Sequence, residues 1–108
     1  MMTFIEEYHE ELDVMVPIPE LVIKAGETMD EFSTRERGNI SRAIAAAIEL
    51  IVKFDVETMP CFAIKDTDVI FNTNRAEAVY SVDQCIQYFL EIEDYEKCAR
   101  LTNLKSKL

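Results

Sequence analysis

The strongest pattern of apolar positions in the chain predicts a long central helix. Apolar residues recur at steps of three and four, which places them along one side of a helix: Ile40, Ala43, Ile44, Ala47, Ile48, Ile51 and Val52. Ser33 and Glu36 have the spacing of a capping box, and Asn39 offers a second N-cap, so the start stays open. We expect a helix over residues 34–54, with the isoleucines from 44 to 51 almost fully buried.

The first part of the chain shows a shorter run of helical spacing. Apolar residues recur at helical steps across residues 4–13 and, with Thr3 as the N-cap, predict a short helix. Pro17 and Pro19 are expected to end it, because proline has no amide proton and clashes with a preceding helical turn. Residues 20–24 fit either a short strand or an extended connector.

Two further patterns lie in the second half of the chain. Runs of β-prone residues on either side of a polar turn predict a β-hairpin over residues 61–71. Residues 75–80 fit either a helical turn or a third strand. Ser81 and Gln84 form another capping-box pattern, and the apolar spacing after them predicts a helical hairpin over residues 82–108.

These elements predict one domain of the α+β class, in which three or four helices pack on a small antiparallel β-hairpin or sheet. The length of 108 residues and the apolar content of 49% suit one hydrophobic core and leave no room for two. No run of about 18 apolar residues is present, so no membrane span is expected. The start of the chain has no basic segment followed by an apolar one, so no secretory signal is expected.

Charge is distributed unevenly along the chain. The formal net charge is −10, from 21 acidic and 11 basic residues. Residues 1–31 carry nine of the acids and one base, which gives this segment a net charge of −8. The last twelve residues carry four bases and no acid. Because the overall field repels polyanions, direct binding of nucleic acid is not expected.

Residues that carry enzyme chemistry or bind metals are sparse. The three cysteines, Cys61, Cys85 and Cys98, form no Cys-x-x-Cys pair and indicate reduced thiols in the cytoplasm. The only histidine, His9, lies among glutamates, and we interpret it as a solvent-exposed helix residue. Two glycines are too few for a phosphate-binding loop. We therefore predict a cytoplasmic protein that is not an enzyme, with no catalytic residues, no metal and no cofactor.

An acidic cluster near the start of the chain is the first candidate for a binding surface. It has five carboxylates within eight residues: Glu6, Glu7, Glu10, Glu11 and Asp13. On a helix, like charges four residues apart repel one another, and a cationic partner would relieve that repulsion. Such a face competes for a basic groove by presenting carboxylates in place of nucleic-acid phosphates. We expect a regulatory protein that binds a protein partner with a basic surface; small phage-encoded inhibitors, which act in the host cytoplasm, are one such class.

A structural role is the alternative. The Ala-rich side of the central helix provides an apolar surface through which the chain would form a homo-oligomer or join a larger complex as an accessory subunit. Salt dependence separates the two hypotheses, because electrostatic binding weakens steeply with salt and an apolar interface responds little.

The end of the chain, over about residues 82–108, resembles a known interaction module. Its second half is similar to that of the UVR helical hairpin in the run Asp94-Tyr95-Glu96-Lys97-Cys98-Ala99-Arg100-Leu101, continuing to Leu104 and Leu108. It departs from that family at Thr102-Asn103, where the family has Arg-Asp, and at Phe89-Leu90, where two alanines are usual. UVR hairpins mediate protein–protein contacts in nucleotide-excision-repair proteins and some stress regulators. The resemblance implies an alternative docking surface formed by Tyr95, Glu96, Arg100 and Leu104.

Two cysteines lie at similar distances from the predicted turn of this helical hairpin, near residue 92. Both fall on its inward-facing stripe, so Cys85 and Cys98 are expected to approach each other. Free cysteines are commonly buried as small apolar residues. We therefore predict that both thiols stay reduced in the native protein.

Overall fold

A computed structural model describes residues 2–108 of the protein. Its elements, in chain order, are β1 (Thr3–His9), β2 (Val14–Leu21), α1 (Met29–Arg35), α2 (Arg37–Phe54), β3 (Thr58–Ile64), β4 (Ile70–Asn74), α3 (Arg75–Glu91) and α4 (Tyr95–Lys105). The strands form one sheet in the order β1-β2-β3-β4. The outer pairs are antiparallel, whereas β2 and β3 are parallel, because α1 and α2 carry the chain back between them. The α+β class is confirmed, with a mixed rather than an antiparallel sheet.

The first two strands form a β-hairpin, so the helix predicted over residues 4–13 is wrong. Seven cross-strand pairs join the strands, from Thr3 opposite Glu20 to His9 opposite Val14. The segment is rich in β-branched and aromatic residues, which favour strands. Helical spacing over only ten residues does not outweigh the pairing that β2 provides.

Pro17 and Pro19 lie inside β2 rather than after a helix. A proline has no N–H, so neither residue can form a hydrogen-bonded pair with β1, and both occupy the alternate, non-hydrogen-bonded pairs. The side of β2 that lacks these two donors faces β3. Accordingly, among the described residues, β2 and β3 pair only beyond the prolines, at the last two residues of β2. Of the ambiguous residues 20–24, only the first two complete the strand.

The region predicted as one central helix contains parts of two helices. A capping box starts α1: the Thr28 hydroxyl accepts the Glu31 amide proton, and the Glu31 carboxylate accepts that of Thr28, each at 3.1 Å. The capping box predicted at Ser33 is wrong, because Ser33 lies inside α1. The second helix begins at Arg37 and ends at Phe54, the last residue of the predicted helix.

Helix α2 lies between two hydrophobic clusters and contributes to both. One cluster joins it to the sheet and to Phe32 of α1, and the other joins it to α3 and α4. Ile48 and Ile51 are fully buried, as predicted. Ile44 is only half-buried, because it borders an open cleft between α2 and α3.

The second half of the chain contains a β-hairpin followed by a helical hairpin. Strands β3 and β4 flank a turn in the region predicted over residues 61–71. The ambiguous residues 75–80 form the first turns of α3, whose N-cap Asn74 accepts a backbone amide proton from the first turn at 2.8 Å. The capping box predicted at Ser81 is wrong, because that residue lies inside α3. Helices α3 and α4 then form a helical hairpin that turns at residues 92–94.

Candidate protein-binding surface

The hairpin of β1 and β2, residues 3–21, carries the predicted acidic cluster, and we name it the hairpin arm. Six carboxylates lie on it: Glu6, Glu7, Glu10, Glu11, Asp13 and Glu20. The arm has no lysine or arginine, and none of its carboxylates forms a salt bridge with any residue from 2 to 108. The ion pairs of the described residues all lie outside the arm. The arm is therefore a region of uncompensated negative charge.

The five predicted residues of the acidic cluster do not share a helical face, because their segment is a hairpin. Glu6 lies on the exposed face of β1 and Glu7 on its opposite, half-buried face, since successive residues of a strand alternate. Glu10 and Glu11 lie in the turn, and Asp13 closes the turn with a φ of 52°. The structure brings Glu7, Glu10 and Glu11 together around an open depression of about 680 Å³ beside the ends of β3 and β4.

Two residues hold the tip of the arm in place. His9 is 6% exposed; its Nδ1 accepts the Leu12 amide proton at 3.1 Å, and its Nε2 donates to the Thr58 carbonyl at 2.9 Å. The interpretation of His9 as a solvent-exposed helix residue is wrong, because it is buried at the end of β1, where one ring nitrogen bonds within the turn of the arm and the other joins the arm to β3. The Tyr8 hydroxyl donates to the Asp13 carboxylate at 2.7 Å. This hydrogen bond, with a smaller contribution from burial, raises the pKa of Tyr8.

Aromatic and acidic side chains alternate on the exposed face of the arm. Phe4, Glu6 and Tyr8 lie on the same side of β1, and the two aromatic residues are 62% and 51% exposed. Across the ladder, Pro17 opposite Glu6 and Met15 opposite Tyr8 are also exposed, whereas Pro19 opposite Phe4 is half-buried. Contiguous apolar residues on a surface are typical of binding sites. The arm therefore offers apolar contact and negative charge on one face.

The same three residues of β1 also have a free backbone edge. Glu6 pairs with Pro17 and Phe4 with Pro19, in pairs that are not hydrogen-bonded. The N–H and C=O groups of Glu6 and Phe4 therefore point away from β2. By the alternation of a strand, those of Tyr8 do the same. Because β1 is the outermost strand, these groups face the open edge of the sheet.

The alternative docking residues on α4 are partly used within the fold. Tyr95 is 63% exposed, and Glu96 is exposed in the first turn of the helix. Arg100 forms an ion pair with Glu49 of α2, and Leu104 is half-buried against the cluster between α2, α3 and α4. The structure thus leaves two of the four residues fully open to a partner.

All three cysteines are free and buried. Burial raises the pKa of the Cys61 thiol to about 12 and that of Cys85 to about 11, so both stay protonated at neutral pH. Cys85 and Cys98 belong to one core cluster, where their thiols donate to different carbonyls: Cys85 to that of Ser41 at 3.5 Å and Cys98 to that of Ile86 at 3.7 Å. Protonated thiols are poor nucleophiles and poor metal ligands. Within residues 2–108 no group of three or more His, Cys, Asp or Glu side chains is arranged to hold a metal ion.

Two features of this surface were not expected from the sequence: the open edge of β1 and the aromatic residues along it. The signal for both was the Pro17-Ile18-Pro19 run. Prolines at alternate positions among β-branched residues fit a strand that has no N–H donors along one of its two edges. Its neighbour, here β1, must then pair with the other edge. That pairing determines which N–H and C=O groups of β1 point away from β2.

Comparison of the chain with protein-family models, with curated proteins and with solved structures finds no match. No helix within residues 2–108 is long and apolar enough to cross a membrane.

Proposed function

We propose that this protein is a regulator without enzymatic activity, which binds a protein partner with a basic surface through the hairpin arm. The observation that supports this proposal is the uncompensated charge of the arm. Six carboxylates lie on residues 3–21, with no lysine or arginine among them and no salt bridge to any described residue. A cationic partner supplies the missing charge and relieves the repulsion within the arm.

A groove that binds nucleic acid is a basic surface of the required kind, because it neutralises closely spaced phosphates. An acidic protein seated in such a groove excludes the nucleic acid, so the regulation we propose is competition for that site. Opposite charge also speeds the encounter of the two proteins. Since salt screens exposed charges beyond about 8–10 Å at physiological strength, affinity should fall steeply with salt.

Affinity measurements on an arm variant test the proposal. The variant carries Glu6→Gln, Glu7→Gln, Glu10→Gln, Glu11→Gln and Asp13→Asn, and asparagine tolerates the positive φ at position 13. Capture from a lysate at low salt first identifies the partner, and titration then compares the wild type with the variant. We expect the arm variant to bind about tenfold more weakly or worse, with a deficit that shrinks as salt rises. The wild type should also displace nucleic acid from the partner.

A control variant with the same change in net charge separates the arm from general electrostatics. It neutralises five exposed acidic residues outside the arm that form no salt bridge with described residues: Asp30, Asp66, Asp68, Glu77 and Glu93. The control should bind within about twofold of the wild type. Equal affinities of the wild type and the arm variant at low salt would contradict the proposal.

The alternative roles find less support in the arrangement of side chains. On α2, Ala43, Ala45 and Ala47 are buried inside the molecule, so most of the Ala-rich side is already used. On the UVR-like hairpin, Arg100 is paired and Leu104 is half-buried. If the arm variant keeps full affinity, this hairpin becomes the surface to test, beginning with Tyr95.

A further inference from the structure

We propose, on the basis of the function above, that the partner docks as an extended cationic strand along the open edge of β1 and adds a fifth strand to the sheet. The outward N–H and C=O groups of Phe4, Glu6 and Tyr8 recur every second residue, which is the spacing that a paired strand requires. Within residues 2–108, none of these outward N–H and C=O groups is paired with another strand of the sheet, so all of them are available to an added strand.

The edge of β1 has few of the features that usually prevent pairing. Its ladder with β2 runs without a bulge, and the strand contains no proline and no lysine. The protection that remains is the charge of Glu6 and Glu7. Carboxylates repel an acidic strand and attract a basic one, so this edge is selective rather than closed.

A second copy of this chain is the wrong occupant on grounds of charge. Antiparallel pairing of two β1 strands in the register of greatest overlap places Glu6 directly opposite its own equivalent. Like charges in opposed positions destabilise a strand pair. Each copy also carries a formal net charge of −10. The complement of this edge is therefore a cationic segment of another protein.

The side chains along the edge define what that segment contains. Glu6 and Glu7 are adjacent and point to opposite faces, so two consecutive basic residues satisfy both. Phe4 and Tyr8 flank them with exposed aromatic rings, and Ile5 is half-buried. An antiparallel partner strand that fits this edge therefore has an apolar residue opposite Tyr8, basic residues opposite Glu7 and Glu6, and apolar residues opposite Ile5 and Phe4.

Nuclear magnetic resonance titration with a defined peptide tests this mode of docking. The probe is a blocked Thr-Val-Lys-Lys-Val-Val-Thr peptide, compared with the same peptide carrying Glu in place of Lys. We expect the lysine peptide to bind, to shift the amides of Phe4, Glu6 and Tyr8, and to slow their hydrogen exchange. Failure of the lysine peptide to bind more tightly than the glutamate peptide at low salt would contradict both this inference and the proposed function.

Two variants of one residue separate strand pairing from charge alone. Glu6→Pro removes the outward N–H and the charge but spares the ladder with β2, because position 6 donates nothing to β2. Glu6→Gln removes only the charge. We expect Glu6→Pro to bind the peptide about fivefold more weakly than Glu6→Gln, or worse. Equal affinities of the two variants would overturn strand addition and leave the proposed function standing.

A modified peptide gives the same test on the unaltered protein, should Glu6→Pro fold poorly. N-methylation of alternate amides blocks one edge of the peptide, and each of the two alternate sets is tested separately. We expect one set to abolish binding and the other to leave it nearly unchanged, because only one edge of an added strand faces β1. Equal binding of both methylated peptides and the parent would overturn strand addition. Concentration-dependent dimers of the free protein by sedimentation would overturn the choice of a cationic occupant.

Discussion

Glu27 is a carboxylate whose ionisation depends strongly on its neighbours. It accepts hydrogen bonds from Nε and Nη2 of Arg35, each at 2.8 Å, and from the Lys24 amide at 3.0 Å. The hydrogen bonds from Arg35 contribute most, followed by that from Lys24, and they lower the pKa of Glu27 to about 2. Through Arg35, which also donates to the Val22 carbonyl, this carboxylate fixes the connection between β2 and α1.

The free energy of unfolding should therefore fall as the pH drops from about 4.5 towards about 2. In that window the native protein keeps Glu27 ionised, whereas the unfolded chain takes up the proton, so acid favours unfolding. Glu27→Gln removes this titration and should flatten the pH dependence of the urea midpoint. Asp30→Asn, at a carboxylate with no salt bridge to described residues, should keep the wild-type dependence. An unchanged slope in Glu27→Gln would contradict the assignment.

The buried thiols lead to a second prediction at the scale of single residues. Because burial raises the pKa of Cys61 to about 12 and that of Cys85 to about 11, few thiolates form in the native protein at pH 8. Iodoacetamide should therefore modify these two residues about a hundredfold more slowly in the native protein than in urea. Mass spectrometry after labelling in urea, without reductant, should show three modified cysteines. One modified cysteine would instead indicate a disulfide.

His9 shows why single residues are hard to interpret before the fold is known. Its neighbours along the chain are glutamates, which suggested an exposed position. Its burial depends on the Thr58 carbonyl, 49 residues away, and on a turn that places the Leu12 amide against the ring. Such partners are brought together by tertiary structure, and no local spacing reveals them.

The prolines of β2 predict how its partner strand responds to substitution. Glu7 occupies a hydrogen-bonded pair with Val16, whereas Glu6 pairs with Pro17 and donates nothing to β2. Glu7→Pro should therefore destabilise the protein by about 1–3 kcal/mol more than Glu6→Pro, because it removes the N–H that pairs with the Val16 carbonyl of β2. Urea unfolding measures both variants, which start from the same residue type at adjacent positions. Equal stabilities would mean that the register of the arm is not the one described.

Because α2 contributes to both hydrophobic clusters, a substitution in its buried face should destabilise the protein. Ile48 is fully buried, so Ile48→Ala should lower the free energy of unfolding by about 2–5 kcal/mol. Val79→Ala is the control, because Val79 is 40% exposed on α3 and should change stability by about 0.5 kcal/mol or less. Chemical denaturation followed by circular dichroism gives both values. A melting temperature of Ile48→Ala close to that of the wild type would place this face against solvent.

Long elements with one regular spacing of apolar residues could be predicted from the sequence, whereas short elements could not. The stripe that includes Ile48 spans several turns, so it predicted most of α2 and the residue at which the helix ends. Capping-box spacings were less informative, since Thr28, Ser33 and Ser81 all show one and only Thr28 starts a helix. The backbone at Thr28 is extended, as an N-cap requires, and the other two lie within helices. The acidic cluster stays a prediction as a binding surface, and the fold changes its shape from a helical face to a β-hairpin.

Over the whole molecule, positive and negative charges are separated rather than mixed. The arm holds six of the 21 acidic residues and none of the 11 basic ones. Elsewhere the helices are joined by ion pairs, including Arg37 with Glu91, Arg100 with Glu49 and Lys105 with Asp83. Because solvent screens exposed pairs of this kind, they organise the helical layer without dominating its stability. The composition gave the net charge, but only the fold shows that one hairpin is left uncompensated.

Salt should therefore stabilise the folded protein, and the arm should be the reason. Its carboxylates repel one another most at low ionic strength, because counterions screen them as salt is added. We expect the melting temperature of the wild type to rise by about 2–6 °C between low and physiological salt. The arm variant, with glutamine or asparagine at positions 6, 7, 10, 11 and 13, should melt at a higher temperature than the wild type at low salt and respond less to added salt.

The control variant, with its five changes outside the arm, should keep more of the wild-type response to salt. Differential scanning calorimetry compares all three proteins. A stabilised arm variant that also binds its partner less well would indicate that the arm sacrifices stability for binding. Identical melting temperatures of the wild type and the arm variant at low salt would show that the carboxylates do not repel one another in the free protein, and the electrostatic reason for a cationic partner would fail.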